Sequence, residues 1–241
     1  MQRASALRAL LIVVPVVLLL AASPVAAQQT YVSQFDVFTG YAFLDSPHIN
    51  LFENGFQAQF GYRPKPWYSL GFDYSRSSGD LVLTPGLLPP ALSQPILGAI
   101  PLYIAAGKLP AGYALAVSAH STSQTFAIGP QLAYRHFSHL TLFIRPSLGA
   151  IHEVAVPHPA ASDWFATSIA AELAPSGKKT DWQGFYGFGG GFDILFSKYV
   201  GIRTQADLVH DHLFNDVLAD GRWTVRFSIG PCFNFGKNIA K

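Results

Sequence analysis

A single cysteine, Cys232, in 241 residues leaves no partner for an intramolecular disulfide, so packing and hydrogen bonding must hold this chain together. Charge is scarce as well. Asp, Glu, Lys and Arg make up 12% of the sequence, against about one residue in four in soluble domains. Half of the residues are hydrophobic, so water is not the expected solvent for the whole surface. CxxC and HExxH spacings are missing, which leaves no thiol or zinc site to expect and no cofactor to call for.

Long apolar runs are also few. One lies at the start, where Arg3 and Arg8 precede the stretch Ala9–Ala22 and the small-residue end Val25-Ala26-Ala27. That arrangement reads as a secretory signal peptide over 1–27, cleaved after Ala27, with a single domain over 28–241. Pro15 and the short run argue against a retained anchor, because a spanning helix needs roughly 20 apolar residues. Setting Arg3 and Arg8 aside leaves 14 of the 16 basic residues against 14 acidic ones. The formal charge of the mature chain is then zero, so no nucleic-acid partner is expected. Further along, the best apolar candidate, Leu87–Ala106, is broken by Pro and Gly. If lipid is the solvent, a closed β-barrel remains, since only helices and barrels satisfy every backbone polar group in hydrocarbon.

What is present fits that reading. Eight segments alternate apolar with polar or small residues: Phe35–Phe43, Gly55–Arg63, Trp67–Ser75, Thr125–Arg135, Leu140–Ile151, Gly184–Phe196, Val200–Val209 and Trp223–Phe235. The expected fold is all-β, an antiparallel transmembrane barrel of eight strands with long outer loops. Tyr113–Ser118 and Trp164–Leu173 are candidates for further strands. Charges within the segments fall on the inward parity: Asp36, Arg63, Asp73, Arg135, Arg145, Asp193, Arg203, Asp207 and Arg226. Five guanidinium and four carboxylate groups suit a lumen filled by ion pairs, where the arginine fork can bind two oxygens. Lipid-facing arginine at mid-membrane would cost about 2–4 kcal/mol. The rival, a soluble β-sandwich, would bury the aromatic parity and expose the arginines.

The stretch GFYGFGGGFDILF (Gly184–Phe196) has the glycine content of a phosphate loop but not its spacing. No trio of its glycines satisfies G-x-G-x-x-G, and a turn and strand follow it where a phosphate loop would open a helix. Its alternation instead sets Tyr186, Phe188, Phe192 and Ile194 outward and Gly187, Gly189 and Gly191 inward beside Asp193.

With its signal peptide, eight strands, GFYGFGGGFDI, GIRTQADLV and a final VRFSIGPCFNFG, the chain resembles the small bacterial outer-membrane β-barrels that include the OmpA-type transmembrane domains. The resemblance implies an outer-membrane location, contact with outer-membrane lipid, and recognition by the barrel-insertion machinery. Phe233 and Phe235 look like the C-terminal aromatic signal for that machinery, although Gly236–Lys241 follow them. With only those residues after the last strand, no OmpA-like peptidoglycan-binding domain is expected. The implied topology puts both termini in the periplasm. Leu44–Asn54, Arg76–Gln124, His152–Gln183 and His210–Arg222 are then the outer connections.

Within them, Leu83–Ser118 is apolar and rich in proline, consistent with one or two short helices broken near Pro95 and Pro101. It either contacts the outer leaflet or a partner, or merely covers the barrel mouth and packs on other loops. His210-Asp211-His212 and His136-Phe137-Ser138 invite metal and hydrolase readings, respectively. The first lacks a third ligand, and the second falls in a periplasmic turn without an orienting acid. His120, His152, His158, Asp163, Asp211 and Glu153 would meet only if the outer loops bring them together. The expected function is a non-enzymatic barrel with a structural or loop-mediated interaction role; a narrow solute channel and a lipid-modifying enzyme are the alternatives. No catalytic, cofactor or metal residue is assigned.

Overall fold

The computed structural model describes residues 29–218 and 221–240, so the expected signal peptide at 1–27 lies outside the described residues. Eight strands follow one another: β1 (Ser33–Ser46), β2 (Leu51–Lys65), β3 (Tyr68–Leu83), β4 (Val117–Tyr134), β5 (Leu140–Pro157), β6 (Lys179–Leu195), β7 (Val200–Asp211) and β8 (Arg222–Asn238). Each pairs antiparallel with its sequence neighbour, and β8 returns to β1 through pairs such as Val37 with Phe233 and Ala42 with Ser228. The sheet therefore closes and has no free edge.

The alternation decides which way the barrel faces. Outward residues include Phe188 (56% exposed), Ile128 (60%) and Leu148 (65%), whereas inward Arg203 and Gln57 are at 0%. A sandwich would show the reverse. Aromatic residues belt both ends of the wall. One belt includes Tyr62, Trp67, Tyr134, Tyr199 and Phe235, near the short turns; the other includes Tyr186, Trp182 and Trp223. Trp223 and Phe235 stand twelve residues apart on β8. At a rise of about 3.3 Å per residue and a tilt of about 40°, that span climbs roughly 30 Å, the thickness of a hydrocarbon core. Among the described residues no helix is long and apolar enough to cross a membrane.

The outer connections are shorter than the sequence suggests, because the strands run on past the expected boundaries. Leu44–Asn54 shrinks to a turn between Ser46 and Leu51, and β3 and β4 stay paired as far as Leu83 with Val117. The physical cause is continued alternation: Glu53 and Gln57 on β2, and Ser121, Ser123 and Thr125 on β4, keep the inward parity of the strands below them.

Two further expectations are corrected. Trp164–Leu173 is not a strand but a helix, here α2, capped by Asp163, whose Oδ1 accepts from the Ala166 amide at 2.9 Å. Residues Pro90–Ala105 form one helix, α1, which continues through Pro95 and Pro101 instead of breaking there. Each interior proline forfeits a backbone bond and would cost an isolated helix about 3 kcal/mol. Tertiary packing offsets that loss. Tyr103 of α1 meets the rings of Trp164 and Phe165 at 5.4 and 5.6 Å, while Ile100 is buried with Leu109, Leu115, Phe165 and Ala170.

Candidate functional site

The barrel interior is layered. Nearest the short turns, Arg203 lies at the centre of an ion-paired group. Its Nε and Nη2 donate to Asp193 Oδ1 and Oδ2 at 2.7 and 2.9 Å, and its Nη2 also reaches Asp36 Oδ2 at 2.9 Å. Arg63 holds the other Asp36 oxygen at 3.1 Å and donates to Asn234 Oδ1 at 3.0 Å. The Arg203 guanidinium also sits over the rings of Phe143 (5.0 Å) and Phe38 (5.8 Å), which adds cation–π attraction in a site closed to water.

Above this group, Asp73 and Asp207 alternate with Arg145 and Arg226 in a ring. Asp73 accepts from Arg145 at 3.0 Å and from Arg226 at 3.1 Å. Asp207 Oδ2 accepts from Arg226 at 2.9 Å, and its Oδ1 lies 3.3 Å from Arg145 Nε as an ion pair. Gln57 donates to Asp73, and Ser75 accepts from Arg226 at 3.0 Å. Eight of the nine inward charges read from the sequence thus meet in two groups. Arg135, just beyond the end of β4, stands apart: it is half-buried, and its hydrogen bonds go to neutral oxygens of Pro66, Gln29 and Thr141.

A third polar layer falls inside the supposed loops, where the sequence reading named only Glu153 and Asp211, and those as loop residues. Glu53 accepts from Ser123 at 2.7 Å and Glu153 from Ser121 at 2.8 Å, and all four residues are buried. Arg222 donates to Asp211 Oδ1 at 3.4 Å and to the Leu213 carbonyl at 3.0 Å. The signal that would have found them is the inward parity carried past each predicted strand end.

The outer mouth is apolar. Ile49, Leu51, Leu81, Ile151, Phe185, Val209, Leu213 and Phe214 bury one another there. Phe214 has a left-handed backbone, φ 52°, uncommon for a bulky residue. Its amide donates to Asp181 Oδ2 at 2.7 Å, which pins the conformation. Between this cluster and α2 lies a cavity of about 80 Å³. Leu81, Val117, Ala119, Ala155, Ala170 and Phe214 are among its walls, with Glu153 and Lys179 as its charged neighbours.

The connection that follows α1 is tied to the start of α2 by Tyr113, whose hydroxyl donates to Asp163 Oδ2 at 2.7 Å. Burial, and then this bond, push the phenol pKa above its ordinary value. Because Asp163 also caps α2, Tyr113→Phe is expected to cost about 1 kcal/mol. Hydrogen exchange should speed up at the α2 amides and leave the barrel strands unchanged.

The structure does not bring the remaining candidates together. His120 pairs with Asp80 at 2.7 Å on the exposed rim, while His152 stacks on Trp182 at 4.4 Å on the outer wall. Asp163 caps a helix, whereas Asp211 and Glu153 point into the lumen. His210 packs against Tyr186 (5.1 Å), Trp223 (4.7 Å) and His212 (4.9 Å), as part of an aromatic belt. His136 stacks on Tyr134 in the turn between β4 and β5, at the end of the barrel opposite the helices. Among the described residues, no group of three or more His, Cys, Asp or Glu side chains could hold a metal ion.

No protein-family model and no curated protein sequence matches the chain. Solved structures do. Neisserial surface protein A superposes with a TM-score of 0.53 at 12% identity, over 84% of this chain and 98% of that one. Outer membrane protein OprG from Pseudomonas aeruginosa gives 0.48 at 9% identity, over 87% and 99%. Ail, the attachment invasion locus protein of Yersinia pestis, gives 0.47 at 11%, over 85% and 99%. At these identities the likeness concerns fold. Together with the closed sheet, the apolar wall and the polar interior, the superposition on Neisserial surface protein A shows that this chain has the fold of the small eight-stranded outer-membrane β-barrels.

Proposed function

We propose that the protein is a closed, non-enzymatic barrel of the bacterial outer membrane, with a structural lumen and a helical outer cap that makes its contacts. The observation that carries this reading is the stack of ion-paired groups across the lumen. Arg203 and Arg226 each bridge two aspartates from different strands, and their side chains are at 0% and 3% exposure. Eight strands enclose a lumen just wide enough for side chains to fill, and here they fill it with paired charges. A solute would have to separate those pairs to pass. Outer-membrane lipid meets the apolar wall between the aromatic belts. Phe233 and Phe235, exposed on the last strand, are the aromatic residues available to the insertion machinery.

Planar-bilayer recording tests the closed lumen. Purified protein is expected to give no steady conductance, with Arg145→Gln equally silent. Stepwise conductance that changes when Arg145 or Arg203 is neutralised would instead establish the narrow channel. Unaltered lipid A mass spectra after expression are the expected result against the lipid-modifying reading.

A further inference from the structure

The cavity at the outer mouth is the feature the structural lumen leaves unused. It is a half-open cleft with almost wholly apolar walls, the kind of concave surface that small ligands fill. At about 80 Å³ the space is several times the roughly 10–15 Å³ that a single water needs. Its walls come from separate parts of the chain: β3, β4, β5, α2 and the segment around Phe214. Four of the lining positions are alanines, Ala119, Ala155, Ala170 and Ala174, where a leucine would reach into the space. Such a lining favours an aliphatic guest, and barrel mouths are a usual place for one.

Charge at the rim selects the guest's polar end. Lys179 is the one cation among the lining residues, and its side chain is 30% exposed. It pairs with Asp216, itself 60% exposed, so the pair is a solvated one of small worth. An incoming anion can take the place of Asp216 at little cost. Glu153 stands at the buried side, where it accepts from Ser121, and offers no counter-charge to an anionic group placed deep in the cavity. The charges therefore orient an anionic amphiphile with its tail inward and its head at Lys179.

We propose that this cavity binds a medium-chain alkyl carboxylate, with the chain among the alanines and the carboxylate on Lys179 Nζ. The proposal rests on the reading of the outer cap as the working part of the protein, while the closed lumen is tested separately by conductance. The measurement is equilibrium dialysis of radiolabelled octanoate against the full-length mature protein in lipid nanodiscs, with empty nanodiscs as the blank. Saturable uptake above the blank is expected. It should be lost in Ala155→Phe and in Ala170→Leu, which fill the cavity from a strand and from a helix. Both variants are to be checked for heat-modifiable gel migration, and one folded variant suffices. Lys179→Gln should weaken octanoate binding by about fivefold, the upper range for an exposed ion pair, and leave octanol binding unchanged.

Uptake no greater than that of empty nanodiscs would overturn the proposal, as would uptake that persists in a folded cavity-filling variant. Octanol binding as tightly as octanoate, with no effect of Lys179→Gln, would overturn the anionic head. A conducting barrel that still binds octanoate would refute the closed lumen alone.

Discussion

Replacing Arg203 with alanine is expected to destabilise the folded barrel by about 3–5 kcal/mol, the usual cost of removing one partner from a buried ion pair. The guanidinium joins Asp36 on β1 to Asp193 on β6, with Gln59 of β2 accepting from Nη1 at 3.1 Å. Asp36 would keep Arg63, but Asp193 would lose both of its bonds to Arg203 in a site closed to water. Asp193, not Asp36, should therefore dominate the loss. Denaturant titration in lipid vesicles, read by heat-modifiable migration, measures it. Arg203→Met combined with Asp193→Leu should recover most of the stability, because replacing both charges removes the orphan. If Arg203→Ala alone costs under about 1 kcal/mol, the pairs are hydrated and the lumen is not sealed.

The second large effect is expected at Gly189. A Cβ built there collides with the Asp207 carboxylate, and Ala206 O lies at 2.9 Å. Asp207 cannot yield cheaply, since it is held by Arg145 and Arg226. Gly189→Trp must push a large ring into this ion-paired ring from the inner face of β6. Overpacking usually costs 1–3 kcal/mol, and here it also separates buried charges, so a loss of roughly 4 kcal/mol or outright failure to fold is expected. The neighbouring Phe188 is 56% exposed on the wall, and Phe188→Leu exchanges one lipid-compatible side chain for another. It should cost under about 1 kcal/mol. Folding yield into vesicles, scored on gels, compares the two. Equal tolerance would mean that the inward face of β6 is misassigned.

The same stretch illustrates how much was legible beforehand. Glycine at every second position from Gly187 to Gly191 announced an inward face without side chains. The structure supplies the reason for one of them, a neighbouring aspartate held by two arginines on other strands. Parity was also enough to put Asp36, Asp73, Asp193 and Asp207 inside, since a one-residue slip would turn each strand's charges to the lipid. Parity says nothing about which arginine each would meet. Asp73 on β3 meets Arg226 on β8 across the lumen, a relation that exists only once the barrel closes.

Strand ends were misjudged for a related reason. Polar residues such as Glu53, Ser121 and Ser123 resemble loop composition when read along the chain. They remain strand because pairing partners across the barrel wall support them and the lumen gives their side chains bonds. Prolines misled in the same way: Pro95 and Pro101 are local helix breakers, overridden by the packing of α1 on α2.

By itself the sequence determined the period-2 alternation, hence a barrel with an apolar wall and a charged interior. Those properties follow from where successive Cβ atoms point and need no knowledge of partners. Only the tertiary structure decided the pairing inside the lumen, the continuity of α1 and the cavity beneath α2. Each depends on residues far apart in the chain meeting at fixed distances, and the energy that selects them does not exist until the sheet has closed.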